Sequence, residues 1–188
     1  MIFKQQADFL PNMAAVQPPR LDFSQRAVLK WATIEEGDRV LDMDCGNGAL
    51  LYALMDQYRL SACGLCPSAQ QARANRDLLP DADVMYAMPE DIPFRSQSFD
   101  EVFITRCTSR NCRPEALNEL MRVLRPGGQV IIACKGLRVL RNMVMEGDME
   151  LEKRDMMRAL QQAGFKDVSW RSSGLMGVII GWKQNTLH

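Results

Sequence analysis

Residues 39–51 read Arg39-Val40-Leu41-Asp42-Met43-Asp44-Cys45-Gly46-Asn47-Gly48-Ala49-Leu50-Leu51. Val40 and Leu41 make the short apolar run of a buried strand, and Asp42 ends it. Gly46 and Gly48 turn the chain, and Ala49-Leu50-Leu51 opens a helix. A strand that passes through a glycine turn into a helix N-terminus aims unpaired N–H groups at whatever lies beyond the end of a parallel sheet. The stretch predicts an α/β fold with a ligand site at the C-terminal end of its first strand.

On the N-terminal side, Phe23, Ala27, Val28 and Trp31 share one face of a helix over about residues 22–33, and Gly37-Asp38 turns into the first strand. Residues 1–21 are broken by Pro11, Pro18 and Pro19 and read as an N-terminal arm or lid. Beyond Gly48 a helix of about ten residues buries Leu50, Leu51, Leu54 and Met55. Leu60–Leu65 reads as a second strand. Pro67-Ser68 then starts a helix that runs to about Leu79. Asp83–Ala87 and Phe99–Thr105 read as the third and fourth strands. Pro114 opens a helix with Leu117, Leu120, Met121 and Leu124 at i, i+3, i+4, i+7 spacing. Arg125-Pro126-Gly127-Gly128 ends that helix before a fifth strand over 129–134. A helix from Leu151 is stopped by Gly164, and strands 166–171 and 175–182 form a hairpin around Ser172-Ser173-Gly174. Five β–α alternations and a hairpin predict a single domain over 1–188 with its core in 22–182. Its sheet would be doubly wound, mostly parallel and antiparallel at one edge.

The 23 basic and 23 acidic residues balance, so no net charge points to nucleic acid or to an anionic membrane surface. There is no run of eighteen apolar residues and no basic start leading into an apolar stretch. The expectation is a cytoplasmic chain without a signal peptide or a membrane span. The six cysteines lie mostly in or beside strands, away from the spacing of a small disulfide scaffold, so they are expected as reduced thiols.

Four blocks in this order resemble the class I S-adenosylmethionine-dependent methyltransferases of the small-molecule, type 11-like group, over roughly residues 22–182. They are Val40-Leu41-Asp42 with Gly46-Asn47-Gly48, then Asp91-Ile92-Pro93-Phe94 with Ser98-Phe99-Asp100, then Leu120 to Val130, then Ala163-Gly164-Phe165. The resemblance implies a Rossmann-like, seven-stranded sheet in the order 3-2-1-4-5-7-6 with the last strand antiparallel. It also implies an S-adenosylmethionine site. Asp42, Gly46 and Gly48 would hold the methionine moiety, an acid ending strand two the ribose, and an Asp after strand three the adenine amino group. Pro89, Glu90 and Thr105, after strands three and four, complete the candidate contacts.

The cofactor motifs are degenerate at three of these points. Asp44 replaces the first glycine of the family's Asp-x-Gly-x-Gly-x-Gly, Cys66 stands at the ribose acid, and Met88 stands at the adenine acid. Charged hydrogen bonds to the ribose contribute about 1.5–3 kcal/mol each, so their loss at Cys66 would weaken binding about tenfold to a few hundredfold. Asp44 lies two residues from Asp42, so on a strand both carboxylates point the same way about 7 Å apart. Their repulsion is roughly 2–3 kcal/mol at an effective dielectric near 20.

Three readings are open at this stage. One is a methyltransferase for an unidentified small molecule. Another is a non-catalytic binding or regulatory protein on the same fold, paired with a partner protein. The last is a thiol-based metal or redox protein built on Cys45, Cys66, Cys107 and Cys112, which lie near the ends of neighbouring strands, against the alternative of small apolar filling. No metal ligand set is assigned. Arg106, Arg110 and Arg113, with Arg138 and Arg141, border the acceptor side and suit an anionic acceptor, against the alternative of a solvated face. Met143, Met145, Met149, Met156 and Met157 read as core or as a pliable pocket lining. His188 is the one histidine, so no histidine base is expected inside the domain.

Overall fold

The computed structural model describes residues 19–108, 110–135, 153–173 and 176–185. The arm expected over 1–21 therefore lies almost wholly outside the described residues, as do Arg138, Arg141, Met143, Met145, Met149, Gly174 and His188.

Helix α1 (Phe23–Trp31) starts at Asp22. The Asp22 carboxylate accepts the Gln25 N–H at 2.8 Å, and the Gln25 side chain accepts the Asp22 N–H at 3.0 Å. This reciprocal cap stabilises the helix by about 1 kcal/mol. Ala27 and Val28 are buried as expected, but Phe23 is 73% exposed and lies under the Arg26 guanidinium instead.

The chain then alternates through β1 (Arg39–Asp42), α2 (Ala49–Gln57), β2 (Ser61–Cys66), α3 (Ala69–Leu78), β3 (Asp83–Tyr86), β4 (Phe99–Ile104), α4 (Pro114–Val123) and β5 (Leu124–Lys135). It finishes with α5 (Lys153–Gln162), β6 (Lys166–Ser173) and β7 (Met176–Trp182). The sheet order is β3-β2-β1-β4-β5-β7-β6, the order the resemblance implies. Strands β1 to β5 pair in parallel, and β7 runs antiparallel to both β5 and β6. Two apolar layers cover the sheet. Leu41, Phe99, Val102 and Ile132 pack on one face; Val40, Leu50, Phe103 and Ile131 pack on the other. Burial on both faces explains why the central strands read as continuous apolar runs.

Most boundaries lie within a residue or two of the sequence reading, β6 running on through Ser172 and Ser173 where the sequence reads as a turn; the fifth strand differs most. The fifth strand begins at Leu124, with no break at Pro126-Gly127-Gly128. The register jumps from Phe99↔Leu124 to Glu101↔Gln129, so these residues form an irregularity inside the strand. Gly127 takes φ +81°, and its N–H donates to Lys183 O at 2.9 Å while Lys183 N–H returns a bond to Gly128 O at 2.8 Å. Proline and glycine signal a break locally; tertiary hydrogen bonds from the far end of β7 carry the strand across it.

Candidate functional site

Beyond Asp42 the chain remains held between its neighbours. Met43 N–H donates to Phe103 O and Cys45 N–H to Leu65 O, both at 2.9 Å. Gly48 N–H closes the turn onto Cys45 O at 2.7 Å. Gly46 and Gly48 take φ +50° and +75°, the left-handed region that favours glycine, and Gly48 caps α2 without any side chain. A Cβ at Gly48 would lie 3.0 Å from Leu79 Cδ1 and 3.3 Å from Asn75 Oδ1. Asn75, buried on α3, donates to Gly46 O at 2.9 Å and pins the turn from below. Sequence reasoning missed this residue. Its only signal is a polar side chain three positions after Ala72, on the buried side of α3.

Over this turn lies a cavity of about 260 Å³. Its wall comes from the segments after β1 (Met43, Asp44), from the end of β2 and just beyond (Leu65, Pro67), from the segment after β3 (Ala87, Pro89) and from that after β4 (Arg106, Arg110). It therefore occupies the carboxyl ends of the strands where the order reverses between β1 and β4, the crevice in which doubly wound sheets bind ligands.

The electrostatics of the wall are set by two carboxyls and one arginine. Asp44 contributes to the wall, with Arg106 Nε 3.7 Å from its Oδ2. Burial pushes the Asp44 carboxyl above its ordinary value, and Arg106 partly opposes that. Asp42 is fully buried, and neither of its oxygens has a hydrogen-bond partner among the described residues. Burial first, then the nearby Asp44, Cys66 and Asp22, hold its carboxyl well above the usual carboxylate range. A buried carboxyl without donors is costly, and a cation in the adjoining cavity would relieve that cost.

Of the nine candidate contacts, Asp44 and Pro89 line the cavity, and Asp42, Gly46 and Gly48 build the turn beneath it. Met88 is half-buried, and its Sδ accepts from Arg110 Nη1 at 3.5 Å. Glu90 pairs with Arg113 at 3.5 Å, and its Oε2 has no partner among the described residues. Thr105 is buried. The Cys66 side chain is not brought to the cavity. It is fully buried with Cys45 in the opposite apolar layer, its Sγ 2.6 Å from Cys45 Sγ and 3.4 Å from the Asn75 amide.

The single thiol cluster expected at the strand ends is thus two groups separated by the sheet. Cys45 and Cys66 pack on one face, whereas Cys107 and Cys112 pack with Cys134 on the other, Cys107 Sγ lying 3.8 Å from Cys112 Sγ. Among the described residues no grouping of His, Cys, Asp or Glu has the geometry to hold a metal ion.

A second support went unread in the sequence. Arg122, on α4, donates to Phe94 O at 2.7 Å and Ile92 O at 2.8 Å, and its Nε and Nη2 clamp Glu119 at 2.7 Å. Glu119 Oε2 accepts Ile92 N–H at 2.9 Å. This clamp holds the Ile92-Pro93-Phe94 block, which follows the Pro89 wall.

Residues 41–132 match a protein family described as a methyltransferase domain. A Bacillus subtilis protein named as a methyltransferase, YrhH, is 31% identical over 109 residues, covering 53% of this chain and 59% of that protein. The tRNA U34 carboxymethyltransferase of Nautilia profundicola is 30% identical over 141 residues, covering 70% of this chain and 44% of that enzyme. The chain spans less than two-thirds of the length of both relatives. Among solved structures, the complex of the Haloferax volcanii Trm112 methyltransferase activator with a methyltransferase contains the same fold. It has a TM-score of 0.75 and 18% identity, and covers 88% of this chain and 90% of that one.

Proposed function

We propose that this chain, which belongs through residues 41–132 to the methyltransferase-domain family, is an S-adenosylmethionine-dependent methyltransferase acting on a small anionic acceptor. The observation that carries the reading is the cavity over the glycine turn, with the Asp44 carboxylate in its wall and the unpartnered Asp42 carboxyl behind it. That pair fits the cationic end of the cofactor, whose ammonium and sulfonium groups bring the positive charge the buried carboxyls lack. When bound, S-adenosylmethionine supplies a methyl group activated by the sulfonium.

In this reading Asp44 binds the cationic end, Gly46 and Gly48 allow close backbone approach, and Ala87 to Pro89 form the surface for the adenine. Met88 stands where the family carries an acid. Arg106 and Arg110, which line the same cavity, orient an acceptor bearing a carboxylate or phosphate. Orientation and exclusion of water supply the rate enhancement, since methyl transfer from a sulfonium depends mainly on in-line positioning.

Calorimetric titration of the chain with S-adenosylmethionine and S-adenosylhomocysteine tests this. A charge contact from Asp44 makes the sulfonium ligand bind about tenfold more tightly than the neutral thioether. Asp44→Asn removes that preference. Absence of heat with either ligand at millimolar concentration would refute the reading and leave the non-catalytic alternative.

A further inference from the structure

The second thiol group, Cys107, Cys112 and Cys134, packs in the core layer on the cavity's side of the sheet, and methyl transfer does not use it. Cys107 follows β4 directly after Arg106 and is half-buried. Its sulfur lies 3.8 Å from that of Cys112, and it interacts with the thiols of both Cys112 and Cys134. These interactions hold the Cys107 thiol well below its ordinary range and push Cys112 up. Arg106, Thr108, Arg110 and Asn111, the neighbours of the two cysteines in sequence, all line the cavity. A partly exposed thiol with a second thiol in contact is the arrangement of a reactive cysteine and its resolving partner. The other pair differs. Cys45 and Cys66 are at most 1% exposed, and Cys45 packs against Gly64, where a Cβ would come within 3.0 Å of its sulfur.

We propose that Cys107 is a redox-reactive nucleophile that exchanges with low-molecular-weight disulfides such as oxidised glutathione, and that Cys112 resolves the product into a Cys107–Cys112 disulfide that brackets the cavity-lining residues Thr108, Arg110 and Asn111. The Cys107 thiolate attacks one sulfur of the small disulfide, forms a new S–S bond and expels one glutathione thiolate. Cys112 then gives its proton to solvent, attacks the Cys107 sulfur and expels the second glutathione thiolate. The protein loses two electrons, and the small disulfide gains them. Closing the protein bond needs the sulfurs to approach by about 1.8 Å, from 3.8 Å to the roughly 2.05 Å of a disulfide. Rotation about the side-chain torsions supplies a movement of that size. The bond joins the two ends of the segment that presents Thr108, Arg110 and Asn111, so oxidation changes the freedom of that wall.

The test treats the reduced, folded full chain with oxidised glutathione, traps free thiols and maps the products by tryptic mass spectrometry. Trypsin releases Cys107 on residues 107–110 and, since it does not cut Arg113-Pro114, Cys112 on residues 111–122. The expected product is these two peptides joined by a disulfide. Cys112→Ser stops at glutathione on the 107–110 peptide, and Cys107→Ser gives neither product. In the unaltered chain the rate at Cys107 changes by no more than about twofold between pH 6 and 8. An ordinary thiol of pKa about 8.5 reacts roughly 80-fold faster at pH 8 than at pH 6. A first disulfide at Cys45–Cys66 would overturn the proposal, as would a Cys107 rate that follows the ordinary thiol curve. The readout needs no cofactor, so it stands or falls separately from the methyltransferase reading.

Discussion

Replacing Glu101 with Gln should stabilise this protein at neutral and alkaline pH, with a gain that shrinks as the pH falls toward about 4.5. Glu101 sits in β4, 2% exposed. Its Oε1 accepts from Thr33 N–H at 3.0 Å and from the Gln129 amide. Its Oε2 and Gln129 Oε1 are buried acceptors without a partner among the described residues. Burial raises the carboxyl from an ordinary 4.5 to about 7, against the opposing pull of those two donors. A folded-state pKa above the unfolded one means that the folded chain holds the extra proton. Stability therefore falls as pH rises from about 4.5 to about 7. At 1.36 kcal/mol per unit, the ionised carboxylate costs about 1 kcal/mol at pH 5 and about 3 kcal/mol at pH 8. Glutamine keeps an acceptor for Thr33 and Gln129 and adds an amide donor for Gln129 Oε1. Urea unfolding of both proteins at pH 5 and pH 8 measures the difference. Glu101→Gln should gain about 3 kcal/mol at pH 8, equivalent to about 6–12 °C in Tm for a chain of this size. A gain that does not depend on pH, or a loss at pH 8, would refute the assignment of a strained buried carboxylate here.

Asn75→Leu removes the donor to Gly46 O and should cost about 1–2 kcal/mol in urea unfolding, because a half-buried carbonyl loses its partner. Any measured affinity for S-adenosylhomocysteine should fall with it, since the glycine turn is no longer pinned. Arg122→Ala should cost about 2–3 kcal/mol by thermal unfolding, having released two carbonyls and a carboxylate together. Arg122→Lys should recover less than half of that loss, since one ammonium cannot span the bidentate pair and both carbonyls.

The fold was legible because its determinants are local. The apolar runs, the Pro67-Ser68 and Pro114 helix starts and the glycine turn each act over a few residues, and their order left few topologies open. The candidate site was legible in position only. That Asp44 would stand over the same turn as Asp42 follows from residues two apart. That Arg106 would meet Asp44 at 3.7 Å, that Asn75 would hold Gly46, and that Arg122 would hold Ile92 and Phe94 join residues roughly 30 to 60 positions apart, which no local pattern encodes.

Residues 39–51 by themselves determined a strand, a left-handed glycine turn and a helix start, since backbone sterics and apolar spacing suffice for those. Only the tertiary structure decided which face each side chain meets. Along β2 the side chains alternate, so Leu65 reaches the cavity while Cys66 turns beneath it onto Cys45. A shift of one residue in register would have exchanged them. Tertiary packing likewise divided the thiols between two faces and left Asp42 buried without a donor among the described residues, because burial and pairing depend on what neighbouring elements bring opposite each residue.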